Sequence, residues 1–235
     1  MTTSQVAALS AAQVKGMSTD QVQALEAGDI QVLSATQVKA LTTAQVQALE
    51  TSDVAGLNTT QLAALTATQV GALTTAQVVA LTTSEVSNLS YDQVQALSTT
   101  QLQAVETADV AVLNSDQVSS LSATQVQAFT TAQVEKLSTA VVAGLSNTQV
   151  AALSTDQVQA LTTGQVKALT AGEVTALGSD QVVALTSTQL GALSTGQIQA
   201  LDTDDVAAMT TAQVNALNTT QVNALTTGQV AGLTT

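Results

Sequence analysis

Cysteine, histidine, tryptophan, arginine and proline are absent from this 235-residue chain, and its only aromatic side chains are Tyr91 and Phe129. Without Cys or His there can be no disulfide, no Cys/His metal centre and no thiol or imidazole catalysis. Positive charge is scarce: four lysines face 17 acidic residues, for a formal charge of −13. That balance repels the phosphates of nucleic acids and anionic membrane surfaces, so no nucleic-acid partner is expected. No long apolar run occurs, and the first residues, Met1 to Gln5, carry no basic or apolar leader. Neither a signal peptide nor a membrane-inserted segment is therefore expected in this stretch.

What is present is one eight-residue unit, Leu-Ser/Thr-x-x-Gln-Val-x-Ala, in unbroken register from Gln5 to Gln229. The apolar position from Val6 to Val230 is Val in 24 of 29 octads, and the position from Leu9 to Leu233 is Leu in 25 of 29. A continuous α-helix is excluded by the arithmetic, because eight residues at ~100° each drift ~80° per repeat and wind the apolar stripe around the helix. A strand is excluded too. Val and Leu three residues apart would point to opposite faces, and neither Gly nor Asn recurs as a fixed turn residue.

A short helix in each octad accounts for every fixed position. In Leu9-Ser-Ala-Ala-Gln-Val14, Ser10 is the N-cap and Gln13 the third helical residue. That pairing is a capping box, with Leu9 and Val14 as its hydrophobic staple. Ser, Thr, Asn or Asp fills 25 of the 29 cap positions from Ser10 to Thr234, the exceptions being Glu26, Glu50, Glu106 and Gly178. Charge supports the same assignment, since helix dipoles favour acids in the first turn and bases in the last. Sixteen of the 17 acids lie between the cap and the third helical residue, Glu135 being the exception, while Lys15, Lys39, Lys136 and Lys167 lie in the C-terminal halves of their octads.

Each helix is expected to have about six residues, roughly 9 Å of rise, far below the length at which isolated helices persist. Neighbours must therefore stack. The sequence predicts an all-α fold, a solenoid or superhelix of 29 very short helices, as a single domain over 1–235 without distinct capping repeats. Val and Leu should line the interior, the column from Ala8 to Gly232 should allow close approach, and the Thr-rich second octad position should face solvent. Like residues recur at a separation of 24, Lys15 with Lys39 and Asp156 with Asp180 and Asp204, which suggests three octads per turn.

The octads with acids at both cap and third position are the candidate metal ligands: Glu26 with Asp29, Glu50 with Asp53, Glu106 with Asp109, and Asp202 with Asp205. Paired carboxylates suit a hard cation such as calcium, but no octad alone offers the six or more oxygens of a dedicated loop. Capping variants that complement the dipole are the simpler reading. Hydroxyls abound without any base to activate them, so no catalytic residue, enzyme activity or cofactor is expected. Tyr91 should be exposed at a first helical position, Phe129 should fill a core Leu site, and Val141 should lose half of a capping box.

The units Leu41-Thr-Thr-Ala-Gln-Val-Gln-Ala48 and Leu161-Thr-Thr-Gly-Gln-Val-Lys-Ala168 resemble the octapeptide tandem arrays of large bacterial surface or exported, adhesin-like proteins. The resemblance covers all 29 octads and implies an extracellular or cell-surface spacer or stalk. A structural, non-enzymatic role is the leading expectation, with end-to-end self-association possible because the terminal octads look like interior ones. A second class is a binding module that uses an exposed face with Lys15, Gln23, Gln31 and Lys39. A third is a threonine array that orders water or ice.

Overall fold

The structure, a computed structural model, describes residues 1–233. Thr234, the last of the cap positions, and Thr235 lie outside the described residues. Among the described residues there are 29 helices and no strand, running from α1 (Thr3–Ala7) to α29 (Thr227–Gly232) with one helix per octad. Most have five or six residues; α14 (Thr107–Val110) and α18 (Thr139–Val142) have four.

The corner between helices uses two extended residues. At Leu41 the chain leaves the helix with φ −56° and ψ 139°, and at the next residue, Thr42, it has φ −76° and ψ 161°. Both conformations are open to any L-residue, and no positive φ occurs among the described residues. This is why the array turns at every octad without proline and without glycine at a fixed position. Each short helix closes on itself in the same way: the cap carbonyl accepts the N–H of Val38 (from Ser34, 3.0 Å), and the Leu41 N–H donates to the Val38 carbonyl at 3.2 Å.

Contacts cluster in two compact units, Met1–Leu113 and Asn114–Thr235. Within each, helices pack on their third neighbours. In the first unit α5 (Ala35–Ala40) lies between α2 (Ala11–Lys15) and α8 (Thr59–Ala64); in the second, α23 (Ser179–Ala184) lies between α20 (Thr155–Ala160) and α26 (Thr203–Ala208). Three octads therefore make one turn of a solenoid-like coil in each unit, as the 24-residue recurrences suggest.

The Val and Leu columns form the core of each unit, and Phe129 is buried among them at a Leu position. A void of about 10 Å³ in the first unit's core, lined by apolar side chains, Val78 and Leu113 among them, is too small for more than one water. The small column allows close stacking: even a Cβ at Gly232 would lie 3.1 Å from the Thr203 carbonyl. Gly71 permits a closer approach still, since its Cβ would lie 2.7 Å from the Ala96 carbonyl one turn on. The threonines at first helical positions, such as Thr43 and Thr163, are exposed, and so is Tyr91.

Candidate functional site

The cap predicted from sequence is formed in octad after octad. Ser10 Oγ accepts the Gln13 N–H at 3.2 Å while Gln13 Oε1 accepts the Ser10 N–H at 2.7 Å. The glutamine has a second task that the capping box does not reveal. From Gln37 onward in the first unit the residue is buried, and its Nε2 donates to two backbone carbonyls four octads earlier. Gln77 Nε2 donates to Val46 and Leu49 at 2.8 Å each. In the second unit Gln165 Nε2 donates to Val134 at 2.8 Å and Leu137 at 2.7 Å. The Leu carbonyl sits at the extended corner, where no helical N–H can reach it. One side chain therefore satisfies three backbone groups, the cap N–H and two carbonyls, each of which would cost ~1–3 kcal/mol if buried unpaired.

A signal for this bridge existed in the sequence. A capping box accepts Glu as readily as Gln, yet the third helical position holds 22 glutamines and two glutamates. The amide accepts at one end and donates at the other as it stands, whereas a carboxylate must first bind a proton to donate.

The structure separates the candidate metal residues among four helix starts, three of which form capping boxes. Asp29 Oδ2 accepts the Glu26 N–H at 3.3 Å, Asp53 Oδ2 the Glu50 N–H at 3.0 Å, and Asp205 Oδ2 the Asp202 N–H at 3.4 Å. Among the described residues no three Asp or Glu side chains come together to hold a metal ion. Aspartate is too short to bridge four octads and instead turns to the turn directly beneath: Asp205 Oδ1 accepts the Ser179 hydroxyl at 2.9 Å, 26 residues earlier. Asp109 takes the Thr83 side chain in the same register. Glu106, at the cap of α14, has no side-chain cap hydrogen bond.

Burial dominates the electrostatics of these acids. Loss of water pushes the carboxyls of Asp53, Asp109 and Asp205 above their ordinary values, with smaller upward contributions from Glu50, Glu106 and Asp202 respectively. Glu85 is raised for the same reason, with Asp109 adding to the effect. Val141 does leave half a box: its N–H donates to Ser138 Oγ at 3.2 Å, but it has no side-chain acceptor to return. Of the surface depressions, one lined by Ser154, Thr155, Ser179 and Asp180 is shallow and open. Exposed large apolar residues are scattered, Val32, Val79, Val112 and Val183 lying on different turns. An ion pair, Lys136 with Glu135 at 3.4 Å, is solvent-exposed on both sides and contributes little. Among the described residues no helix is long and apolar enough to cross a membrane.

A search of curated proteins finds no match. The sequence model of the ALTTAQ repeat matches seven times in tandem, over residues 1–27, 22–52, 46–83, 102–139, 135–163, 163–195 and 198–235. These matches take in most of the chain and follow the helix–corner unit described above, and on them the chain belongs to the ALTTAQ repeat family.

Proposed function

We propose that the chain is a non-enzymatic structural element, a spacer or stalk whose reach is set by the number of octads. The observation that carries this reading is the sameness of the joint: third-neighbour packing and the glutamine bridge recur turn after turn in each unit, while the exposed face presents no concentrated patch. A binding face would concentrate aromatic or Arg anchors, and the exposed large apolar residues are instead scattered valines, with Met1 and the single aromatic Tyr91. One continuous domain over 1–235 and a place at a cell surface, which the octapeptide resemblance implies, belong to the same proposal.

End-to-end self-association is the second reading, favoured by one feature of the chain as given. Val222 and Val230 are 47% and 48% exposed at positions that are buried elsewhere, and Gln5, Gln13 and Gln21 are exposed at positions where later glutamines bridge. Electron microscopy across a concentration series tests both. Uniform extended particles support the spacer, filaments that lengthen with concentration support self-association, and compact irregular particles contradict both.

A further inference from the structure

Glu85 stands on α11 (Thr83–Asn88) at the position where most octads have the bridging glutamine. Its capping box is intact. The Thr82 N–H donates to Glu85 Oε2 at 2.6 Å, the Thr82 hydroxyl donates to the same oxygen at 2.8 Å, and the Glu85 N–H donates to Thr82 Oγ1 at 3.3 Å. Oε2 thus plays the part of glutamine's Oε1, accepting twice. The remaining oxygen, Oε1, falls in the place of glutamine's Nε2. Bridges in this array run to the carbonyls 31 and 28 residues earlier, as from Gln77 to Val46 and Leu49. From residue 85 that register reaches Val54 and Leu57.

Glu85 is 3% exposed, and its Oε1 is buried without a hydrogen-bond partner. As a carboxylate oxygen it would turn lone pairs toward the lone pairs of carbonyls in a place closed to water, an arrangement with no compensation. The Thr82 N–H and hydroxyl on Oε2 favour the charged form, but burial outweighs them and no cation stands on the neighbouring helices. The helices packed on α11 are α8, which has no ionisable side chain, and α14, which presents Asp109 and has Glu106 at its cap. α7 (Thr51–Ala55), which carries Val54, has Asp53 and its cap Glu50. Every ionisable group on these elements is acidic.

We propose that Glu85 works as a neutral carboxylic acid, its Oε1 proton replacing the glutamine amide as donor to the carbonyls of Val54 and Leu57, so that α11 is tied to the preceding turn by a bond that proton loss breaks. Ionisation releases the proton to solvent and leaves a charge that must be hydrated, which loosens α11 and the α14 turn stacked on it. This makes the stretch a pH-sensitive joint within the first unit. Burial and Asp109 hold the carboxyl above its ordinary value, in keeping with that role. Residues 84–101, which include Glu85, fall between two of the repeat matches.

The sign follows from linkage. A carboxyl raised in the folded state binds its proton more tightly there, so its contribution is complete below the unfolded value and lost as pH rises through the folded one. The test compares the full chain with Glu85→Gln, a change toward the array's own consensus. Carbon-13 titration of the six glutamate carboxyls should show one moving at higher pH than the rest and missing from the variant. Hydrogen exchange should show α11 and α14 losing protection in the wild type as pH rises above the ordinary carboxylate range, and keeping it in Glu85→Gln. If all six carboxyls titrate in the ordinary range, or the variant loses protection over the same rise, the proposal is wrong.

Discussion

Replacing Gln165 by Ala measures the bridge directly, with Gln13→Ala as an internal control. Gln165, on α21 (Thr163–Ala168), is 1% exposed and makes both halves of the connection: Oε1 accepts the Thr162 N–H at 2.6 Å, and Nε2 reaches Val134 and Leu137. Removal leaves the Thr162 N–H and the Leu137 carbonyl without that partner, at ~1–3 kcal/mol each. The Val134 carbonyl keeps the Leu137 N–H at 3.2 Å and adds less. One buried methylene, Cγ, is lost as well, at ~0.8 kcal/mol. The expected loss is about 3–6 kcal/mol. Gln13 makes the same cap, with Ser10 at 2.7 Å, but is exposed and has no turn beneath it in the chain as given. Its removal should cost only about 1 kcal/mol, the usual worth of a cap. Urea unfolding followed by circular dichroism gives both values, provided the slopes agree. Hydrogen exchange around Val134 and Leu137 places the effect, because a repeat array need not unfold in one step. Equal losses from the two variants, within about 0.5 kcal/mol, would show that the long-range donation carries no weight.

Other consequences follow from the same contacts. Gly71→Ala should destabilise by about 1–3 kcal/mol despite better helix propensity, because its Cβ meets the Ala96 carbonyl at 2.7 Å. Gly196→Ala, with nothing within 4 Å, should stabilise by about 0.5–1 kcal/mol; urea midpoints check both. Asp53 lacks the hydroxyl that Ser179 gives Asp205, since the residue 26 earlier is Ala27; Ala27→Ser should lower the Asp53 carboxyl toward its ordinary value and raise stability at neutral pH, as read by carboxyl titration and urea unfolding. Asp53, Glu85, Asp109 and Asp205 are all raised by burial, so the folded state holds extra protons and stability should fall as pH rises above the unfolded carboxyl range. Unfolding midpoints that climb from about pH 5 to pH 7 would contradict this.

Local structure was legible in the sequence because it is governed by contacts three or four residues apart. Ser10 with Gln13, and Leu9 with Val14, define cap and staple from spacing alone, and the acids and lysines report helix polarity. Third-neighbour stacking was fainter, visible only as coincidences among exposed charges such as Lys15 and Lys39. The bridge from Gln77 to Val46 was masked, because a box glutamine already has a sufficient local role. Its trace was the preference for amide over carboxylate. That preference also marks Glu85 as the position where the array's chemistry changes. The candidate metal pairs were legible as acidic boxes, but spacing could not tell that Asp205 would take a hydroxyl from the turn beneath it.

The central claim is that three octads complete a turn within each unit, and nitroxide pairs test it most directly in a chain that has no cysteine of its own. Gln159 on α20, Lys167 on α21 and Val183 on α23 are exposed at equivalent octad positions. Stacking of α20 on α23 predicts stronger dipolar coupling between labels at 159 and 183, 24 residues apart, than between labels at 159 and 167, only eight apart. Coupling that weakens steadily with sequence separation would contradict the account.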